Sequence, residues 1–296
     1  MSSTLIAPEL RARLRELRIS SRRSAGGDGL GQHSSRSRGA GLEFAQYRAY
    51  EPGDEPRRID WKLYGRSDRF FVREAERDSP LDLWLLLDAT ASMRQADKAQ
   101  PTLRKFDRAC TLAACLIEIA LRQGDRFALA TLSSQSPLLI APGRGARHRD
   151  HVALELSRST AEGNWPTSSA EGVIGARIAA HALVIVISDF FDPAAFDFMR
   201  RFAGAGREVR ALQLLAADER DFPFSGGHRF IDPESGQERR VDAPAVRKDF
   251  LARFGEARAA LARDCTALGI ALATHVLDEP PERALRELLS DAGARR

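Results

Sequence analysis

The chain has 296 residues, of which 43% are apolar and 29% are charged. These values are ordinary for a soluble globular protein with a sizeable core. The net charge is +4, but residues 1–40 alone carry +5, because eight arginines there face only Glu9, Glu16 and Asp28. The rest of the chain therefore sums to about −1, which excludes a basic nucleic-acid surface over the body of the protein.

The cysteines and the hydropathy pattern indicate the compartment. Cys110, Cys115 and Cys265 form no CxxC pair and predict no disulfide framework. No stretch approaches the ~18 uninterrupted apolar residues of a transmembrane helix, and the N-terminus has no apolar signal-peptide core. We therefore expect a cytoplasmic protein in a reducing environment.

Residues 1–41 predict a helix followed by a flexible linker. Leu5, Leu10, Leu14 and Leu17 share one side of a helix over residues 4–19. The linker that follows is rich in Ser, Arg and Gly. Such a helix either docks on a partner or packs against its own protein, and we favour packing.

Residues 42–79 predict a small β-rich segment of short strands joined by turns. Aromatic strand formers precede the turn dipeptide Pro52-Gly53. Arg57, Arg58 and Trp61 follow and are candidate partner-binding residues, since Arg and Trp dominate the hot spots of interfaces. The same charged residues fit a solvated ion-pair lattice over a small sheet equally well, and both interpretations stay open.

Residues 80–296 alternate between apolar strands and amphipathic helices. Strands are expected over residues 81–88, 126–132, 137–141, 182–189, 208–215 and 270–277. Helices are expected over residues 105–123, 147–158, 169–181, 194–205, 246–268 and 280–289. Continuous apolar strands between helices predict an α/β fold, a doubly wound, mostly parallel sheet with helices on both faces. Residues 222–244 interrupt the alternation and predict an inserted hairpin.

The strand 81–88 ends abruptly in Asp88, and Thr90 and Ser92 follow at alternate positions. In an open α/β sheet, ligands bind outside the carboxyl ends of the strands at a switch point of the topology. One Asp and two hydroxyls are hard oxygen groups, which suit Mg²⁺ or Mn²⁺. On its own, the pattern fits equally well an Asp88 that caps the next helix, with the two hydroxyls hydrogen-bonded to nearby backbone groups.

A second central strand also ends in an Asp, at Asp189, and Thr167 lies in the loop before the helix that leads to that strand. The carboxyl ends of parallel strands share one edge of a sheet, so we expect Asp88, Thr90, Ser92, Thr167 and Asp189 to converge. If the hydroxyls ligate directly and the two Asp residues act through water, the ion keeps much of its charge. An open position would then favour a carboxylate from a partner, without any bond being broken.

The motif Asp88-Ala-Thr-Ala-Ser92 resembles the Asp-x-Ser-x-Ser of von Willebrand factor type A domains, where it begins the metal-ion-dependent adhesion site. The upstream segment from Arg48 to Trp61 resembles the hallmark of one bacterial branch, domain-of-unknown-function family 58. The resemblance covers roughly residues 38–290. It implies a von Willebrand factor A-like fold, a divalent ion, and a role as partner or adaptor of MoxR-type AAA+ ATPases in assembling or remodelling other proteins.

The chain departs from the family pattern at two ligand positions. Thr90 stands where Ser is usual, which keeps the hydroxyl and adds a methyl group. Trp165-Pro166-Thr167 replaces the usual Gly-Gly-Thr, and Thr160 is a competing candidate for the third hydroxyl.

Two other functions compete. A Mg²⁺-dependent phosphohydrolase would use Asp88 as its nucleophile, but it would want an acidic residue at position 90, where Thr90 stands. Nucleic-acid binding through the Arg-rich N-terminus is weakened by the near-neutral body of the protein. We therefore predict a non-enzymatic interaction protein that carries Mg²⁺ or Mn²⁺ at the sheet edge and binds an acidic residue of its partner.

Overall fold

The computed structural model of the chain describes residues 5–21, 39–51, 54, 56–75, 80–135 and 137–290. The chain divides into two compact units, one of residues 1–20 and 81–296, the other of residues 21–80. The described strands are β1 (Gly39–Ala49), β2 (Phe71–Ala75), β3 (Asp82–Asp88), β4 (Arg126–Leu132), β5 (Leu139–Gly143), β6 (Leu183–Ser188), β7 (Glu208–Leu215), β8 (Gly227–Ile231), β9 (Glu238–Asp242) and β10 (Ala271–Val276). The described helices are α1 (Pro8–Arg13), α2 (Trp61–Ser67), α3 (Lys105–Gln123), α4 (Ala146–Arg158), α5 (Ser168–Arg177), α6 (Pro193–Gly204), α7 (Ala217–Asp221), α8 (Ala243–Ala267) and α9 (Pro281–Leu289).

A six-stranded sheet organises the larger unit, with the order β10-β7-β6-β3-β4-β5. Every neighbouring pair is parallel except β4 and β5, which are antiparallel. Counted along the chain within this sheet, the order is 3-2-1-4-5-6, that of the doubly wound dinucleotide-binding fold. The order reverses between β3 and β6, so the topological switch point lies between these two strands.

The central strands are buried on both faces, which explains their continuous apolar runs. All residues of β3 and of β6 are buried. Leu83, Leu85 and Leu87 belong to the core layer shared with α3, α4 and α9, whereas Trp84 and Leu86 belong to the layer shared with α5, α6 and α8. This alternation follows from the two-residue period of a strand. The prediction of a doubly wound α/β fold with helices on both faces is confirmed.

The N-terminal segment packs on the larger unit, as expected, but the predicted helix over residues 4–19 is too long. α1 ends at Arg13 and continues only as a 3-10 turn. Leu17 is extended, and the Arg122 guanidinium donates to the carbonyls of Leu14 and Leu17. The segment thus exchanges helical hydrogen bonds for tertiary ones.

The smaller unit pairs β1 with β2 in an antiparallel arrangement. The sequence predicted only strands and turns here, and that prediction was wrong for residues 61–67, which form α2. Asp60 caps this helix, since its Oδ1 accepts from the backbone N of Lys62 at 3.0 Å and of Leu63 at 3.1 Å. Asp68 ends it in the left-handed conformation at φ 52°. The aromatic residues therefore lie partly on a helix.

The inserted hairpin is present as β8 and β9, paired antiparallel from Gly227 opposite Asp242 to Ile231 opposite Glu238. Other boundaries shift by a few residues, as at α5, which ends at Arg177 before an extended Ile178. Across the described part of the chain, no helix combines the length and the apolar composition that crossing a bilayer requires.

Candidate functional site

Asp88 and Ser188 lie side by side at the switch point. β3 and β6 are in register up to Leu87 opposite Ile187, so the next residue of each strand reaches the carboxyl edge of the sheet together. Asp88 is 2% exposed, and Ser188 is fully buried. The chain therefore places a carboxylate inside the edge where doubly wound proteins bind ligands.

Both oxygens of the Asp88 carboxylate accept hydrogen bonds. Oδ1 accepts from the backbone N of Thr90 at 2.9 Å and from the Thr90 hydroxyl at 2.7 Å. Oδ2 accepts from the Ser188 hydroxyl at 2.6 Å. Asp88 therefore orients the hydroxyls beside it and does not point freely into solvent.

The hydroxyls of Thr90 and Ser92 are hydrogen-bonded to each other, with their oxygens 3.0 Å apart. Neighbouring ligands of an octahedral ion with bonds of about 2.1 Å lie about 3.0 Å apart, so the pair has the spacing of two adjacent Mg²⁺ ligands. Thr90 is buried and Ser92 is half-buried, so this pair lies where the buried edge meets the protein surface. Asp88, Thr90 and Ser92 together form what we call the oxygen cluster, and their donor set fits a hard divalent ion.

Asp189 lies next to this cluster but already has a cation. The ammonium of Lys105 lies 2.7 Å from Asp189 Oδ2 and 2.9 Å from Glu219 Oε1, and Lys105 is 1% exposed. Asp189 Oδ1 accepts from the backbone N of Phe191 at 3.1 Å. Asp189 is thus held in place by a buried ion cluster that includes two residues, Lys105 and Glu219, that the sequence analysis missed.

The electrostatics favour added positive charge near Asp88. Burial, followed by the charge of Asp189, raises the pKa of Asp88 to about 7, although hydrogen bonds from Ser188 and Thr90 lower it. Burial alone would lower the pKa of Lys105, but Asp189 and Glu219 raise it above its ordinary value. Lys105 therefore stays charged, and the charge of Asp189 still adds to the raised pKa of Asp88.

Among the described residues, neither Thr167 nor Thr160 makes a hydrogen bond to the oxygen cluster. Thr167 is exposed and caps α5, accepting from the backbone N of Ala170 at 3.5 Å. Thr160 is also exposed. The loop between them is nevertheless joined to the cluster's own loop, because the backbone N of Ala91 donates to Gly163 O at 2.8 Å. A third hydroxyl ligand from this loop remains a prediction.

A metal at this edge would depend on hydroxyl groups. Within the described ranges, no three His, Cys, Asp or Glu side chains are grouped closely enough to hold a metal ion. Thr90 and Ser92 are therefore the residues that could bind an ion directly, with Asp88 and Asp189 acting through water.

The predicted partner-binding residues lie in the smaller unit. Trp61 is 59% exposed and meets the rings of Tyr64 and Phe70 edge-on at 6.1 and 6.3 Å. Arg57 is exposed, and the side chain of Arg58 lies outside the described residues. An exposed aromatic surface is present there, and its role as a binding surface stays a prediction.

Comparison with known proteins gives one family and several relatives. Residues 46–260 match the family model described as "Protein of unknown function DUF58". Proteins Mb1516 of Mycobacterium bovis and Rv1480 of Mycobacterium tuberculosis, both described as uncharacterized, are each 29% identical over 273 residues. The matches cover 90% of this chain and 84% of each mycobacterial protein.

Several solved structures are similar at low identity. BatB from Bacteroides thetaiotaomicron gives 12% identity and a TM-score of 0.38, covering 64% of this chain and 98% of that chain. An aerotolerance-related membrane protein from Bacteroides fragilis gives 12% identity and a TM-score of 0.41, covering 70% of this chain and 96% of that chain. The SpRpn10 VWA domain gives 9% identity and a TM-score of 0.42, covering 71% of this chain and 95% of that chain. The fold assignment rests on the strand order itself.

Proposed function

The chain belongs to the DUF58 family, and we propose that it is a non-enzymatic protein-interaction module that binds a partner's acidic residue through Mg²⁺ or Mn²⁺ at the switch-point edge. One observation carries this proposal. At the edge between β3 and β6, the hydroxyls of Thr90 and Ser92 lie 3.0 Å apart beside a buried carboxylate. That spacing and donor type suit a hard divalent ion.

Each of the four residues at this edge of the sheet has a distinct part in the proposal. Thr90 and Ser92 would hold the ion directly, while Asp88 and Asp189 would hold it through water. A bound ion of this kind supplies a positive charge that can take a carboxylate from a partner. Asp88 also orients the Thr90 hydroxyl, to which it is bonded at 2.7 Å.

The partner in this proposal is a MoxR-type AAA+ ATPase, with an unidentified client protein. Support for that partner comes from the family resemblance. Trp61 and Arg57 would offer a second contact, because both are exposed in the smaller unit. A neighbouring gene for such an ATPase would strengthen the adaptor role.

The geometry weighs against the phosphohydrolase. A nucleophilic carboxylate must reach a phosphorus atom, whereas Asp88 is buried and both of its oxygens accept hydrogen bonds. Position 90 also offers Thr90 and no acid. Phosphate-monoester turnover that requires Mg²⁺ and disappears in Asp88→Asn would favour the enzyme instead.

The nucleic-acid alternative finds little support in the described part of the N-terminus. Arg11 lies 3.9 Å from Glu118, and Arg13 pairs with Glu282. These arginines are therefore engaged with the protein's own acidic residues.

The first test measures ion binding directly. Mn²⁺ is titrated into the full chain and the free ion is followed by electron paramagnetic resonance. We expect wild type to bind Mn²⁺, and Asp88→Ala and Ser92→Ala to lose this binding. Mg²⁺ at 100 times its Kd should also raise the free energy of unfolding by about 2.7 kcal/mol in wild type.

Ser157→Ala is the matched control, because Ser157 is an exposed hydroxyl on α4 that donates to its own helix at Leu154 O. It should bind Mn²⁺ as wild type does. The same variants are then used in a pull-down with a purified MoxR-type ATPase, in Mg²⁺ and in EDTA. Capture of the ATPase by Asp88→Ala at the wild-type level would contradict the proposal.

A further inference from the structure

A cavity of about 370 Å³ lies between α5 and α6 in the larger unit. The face of α5 that lines it carries little side-chain volume, because Ser168, Gly172 and Gly175 recur there at helical spacing. Apart from the adjacent helix backbone, no heavy atom lies within 4 Å of a Cβ added at Gly172, and one added at Gly175 first meets the Phe202 ring at 3.8 Å. The two glycines therefore leave room that no side chain fills.

The floor of this cavity is apolar. Phe198 and Phe202 of α6 line the cavity and are buried, and their rings meet edge-on with centres 4.8 Å apart. Ligand pockets generally offer such an apolar surface to most of the ligand and add a few polar groups that fix its orientation. An alkyl or aryl group fits this floor.

The carboxylate of Glu171, which also lines the cavity, already has its partners. Glu171 Oε1 accepts from Trp165 Nε1 at 2.7 Å, and Oε2 accepts from the guanidinium of Arg201. Glu171 is buried, and its ion pair with Arg201 offsets its charge. Neither of the two residues therefore adds net charge to the cavity.

The guanidinium of Arg207 supplies an uncompensated positive charge. It lies over the Phe202 ring, 5.4 Å from the ring centre. Its Nε and Nη2 donate to Ile178 O at 3.2 and 2.7 Å, and within the described ranges no carboxylate pairs with it and Nη1 has no acceptor. A guanidinium fixed in this way loses little freedom when it binds a carboxylate.

We propose that the cavity between α5 and α6 binds a small organic acid that has one carboxylate and one apolar group. The alkyl or aryl group lies against Phe198 and Phe202, and the carboxylate accepts from Arg207 Nη1. One carboxylate matches one uncompensated charge, whereas a phosphate monoester would bring nearly two. Binding requires no ion at the oxygen cluster, because none of the cluster's residues lines the cavity.

The experiment uses phenylbutyrate as the probe and phenylbutanol, which has the same apolar part and no charge, as its matched ligand. Each is titrated into the full chain and followed by saturation-transfer NMR. We expect wild type to bind the acid with a Kd on the order of 1 mM. The alcohol should bind about 10- to 100-fold more weakly, because it cannot form the charge-assisted hydrogen bond.

Three variants locate the ligand. Gly172→Leu places a side chain in the cavity and should abolish binding of the acid, while the better helix propensity of Leu keeps α5 intact. Gly255→Leu is the matched control, because Gly255 is also an exposed helical glycine with no heavy atom near an added Cβ, and it should bind as wild type does. Arg207→Gln should bind the acid and the alcohol equally, a loss of preference that a merely structural role would not produce.

Each outcome decides between the parts of the proposal. Equal Kd values for the acid and the alcohol in wild type would overturn the anion, and so would an unchanged preference in Arg207→Gln. Wild-type affinity in Gly172→Leu, or an equal loss in Gly255→Leu, would overturn the cavity as the site. Absence of saturation transfer to phenylbutyrate with wild type would overturn the whole proposal.

Discussion

At the residue scale, the ion cluster of Lys105, Asp189 and Glu219 holds one side of the candidate site in place. Removing charges from water is expensive, and the attraction between them offsets that penalty only with good geometry. Here Lys105 makes two short contacts, and Glu219 Oε2 also accepts from the backbone N of Ala216 at 2.8 Å. The cluster therefore ties the loop after β6 to α3 and α7.

The variant Lys105→Met tests how much this ion cluster stabilises the protein. The change leaves the buried Asp189 and the partly buried Glu219 without their cation, so we expect a loss of about 3–5 kcal/mol in the free energy of unfolding. Urea unfolding in a Trp61→Phe background measures it, because the remaining tryptophans, Trp84 and Trp165, report on the larger unit. Lys98→Met is the control, since Lys98 is exposed and should tolerate the change. A midpoint equal to that of the control would contradict the structural role of Lys105.

The sequence could predict Asp88, Thr90, Ser92 and Asp189 because strand ends and spacing are local patterns. It could not predict Lys105 as a partner of Asp189, because the pairing depends on how α3 crosses the sheet.

At the element scale, the N-terminal segment is part of the core although its helix is short. Ile6, Leu14, Leu17 and Ile19 are buried within the same layer as α3 and α9. The Gln123 side chain pairs with both backbone groups of Ile19, at 2.7 and 2.9 Å. This segment therefore behaves as a structural strap on the α/β unit.

Leu14→Ala measures how much this strap contributes. Leu14 is fully buried, so its truncation should lower the free energy of unfolding by about 2–5 kcal/mol. Leu154→Ala removes the same atoms from a side chain that is 47% exposed and should change stability far less. Equal urea midpoints for the two variants would show that the strap does not hold the core.

The elements of the α/β unit were predictable because helix and strand periods repeat over many residues, as in α3, which the sequence placed at its observed bounds. The early end of α1 and the presence of α2 were not, because both helices are short and depend on contacts outside themselves. Arg122 and Gln123 redirect the chain after α1, and the cap of Asp60 starts α2 among residues that favour strands.

At the scale of the whole molecule, the doubly wound order determines where the candidate carboxylates of the larger unit lie. The reversal between β3 and β6 brings Asp88 and Asp189 to one edge, although they are distant in the chain. At the edge strand of the same sheet, β10 carries a different kind of polar group. His275 is fully buried, and among the described residues neither of its ring nitrogens has a hydrogen-bond partner.

The pH dependence of unfolding should reveal His275. Burial, followed by the charge of Arg108, lowers the pKa of His275 from 6.5 to about 3. The unfolded chain therefore binds a proton near pH 6.5, whereas the folded protein does not until about pH 3. Stability from this group is complete above pH 6.5 and is lost as the pH falls toward 3.

The variant His275→Leu fills the site with an apolar side chain that cannot take a proton. Between pH 7 and about pH 4.5, wild type should lose about 2–3 kcal/mol more than this variant. His151→Leu, which changes an exposed histidine, should follow wild type. Parallel pH profiles for wild type and His275→Leu would mean that the histidine is protonated in the folded protein.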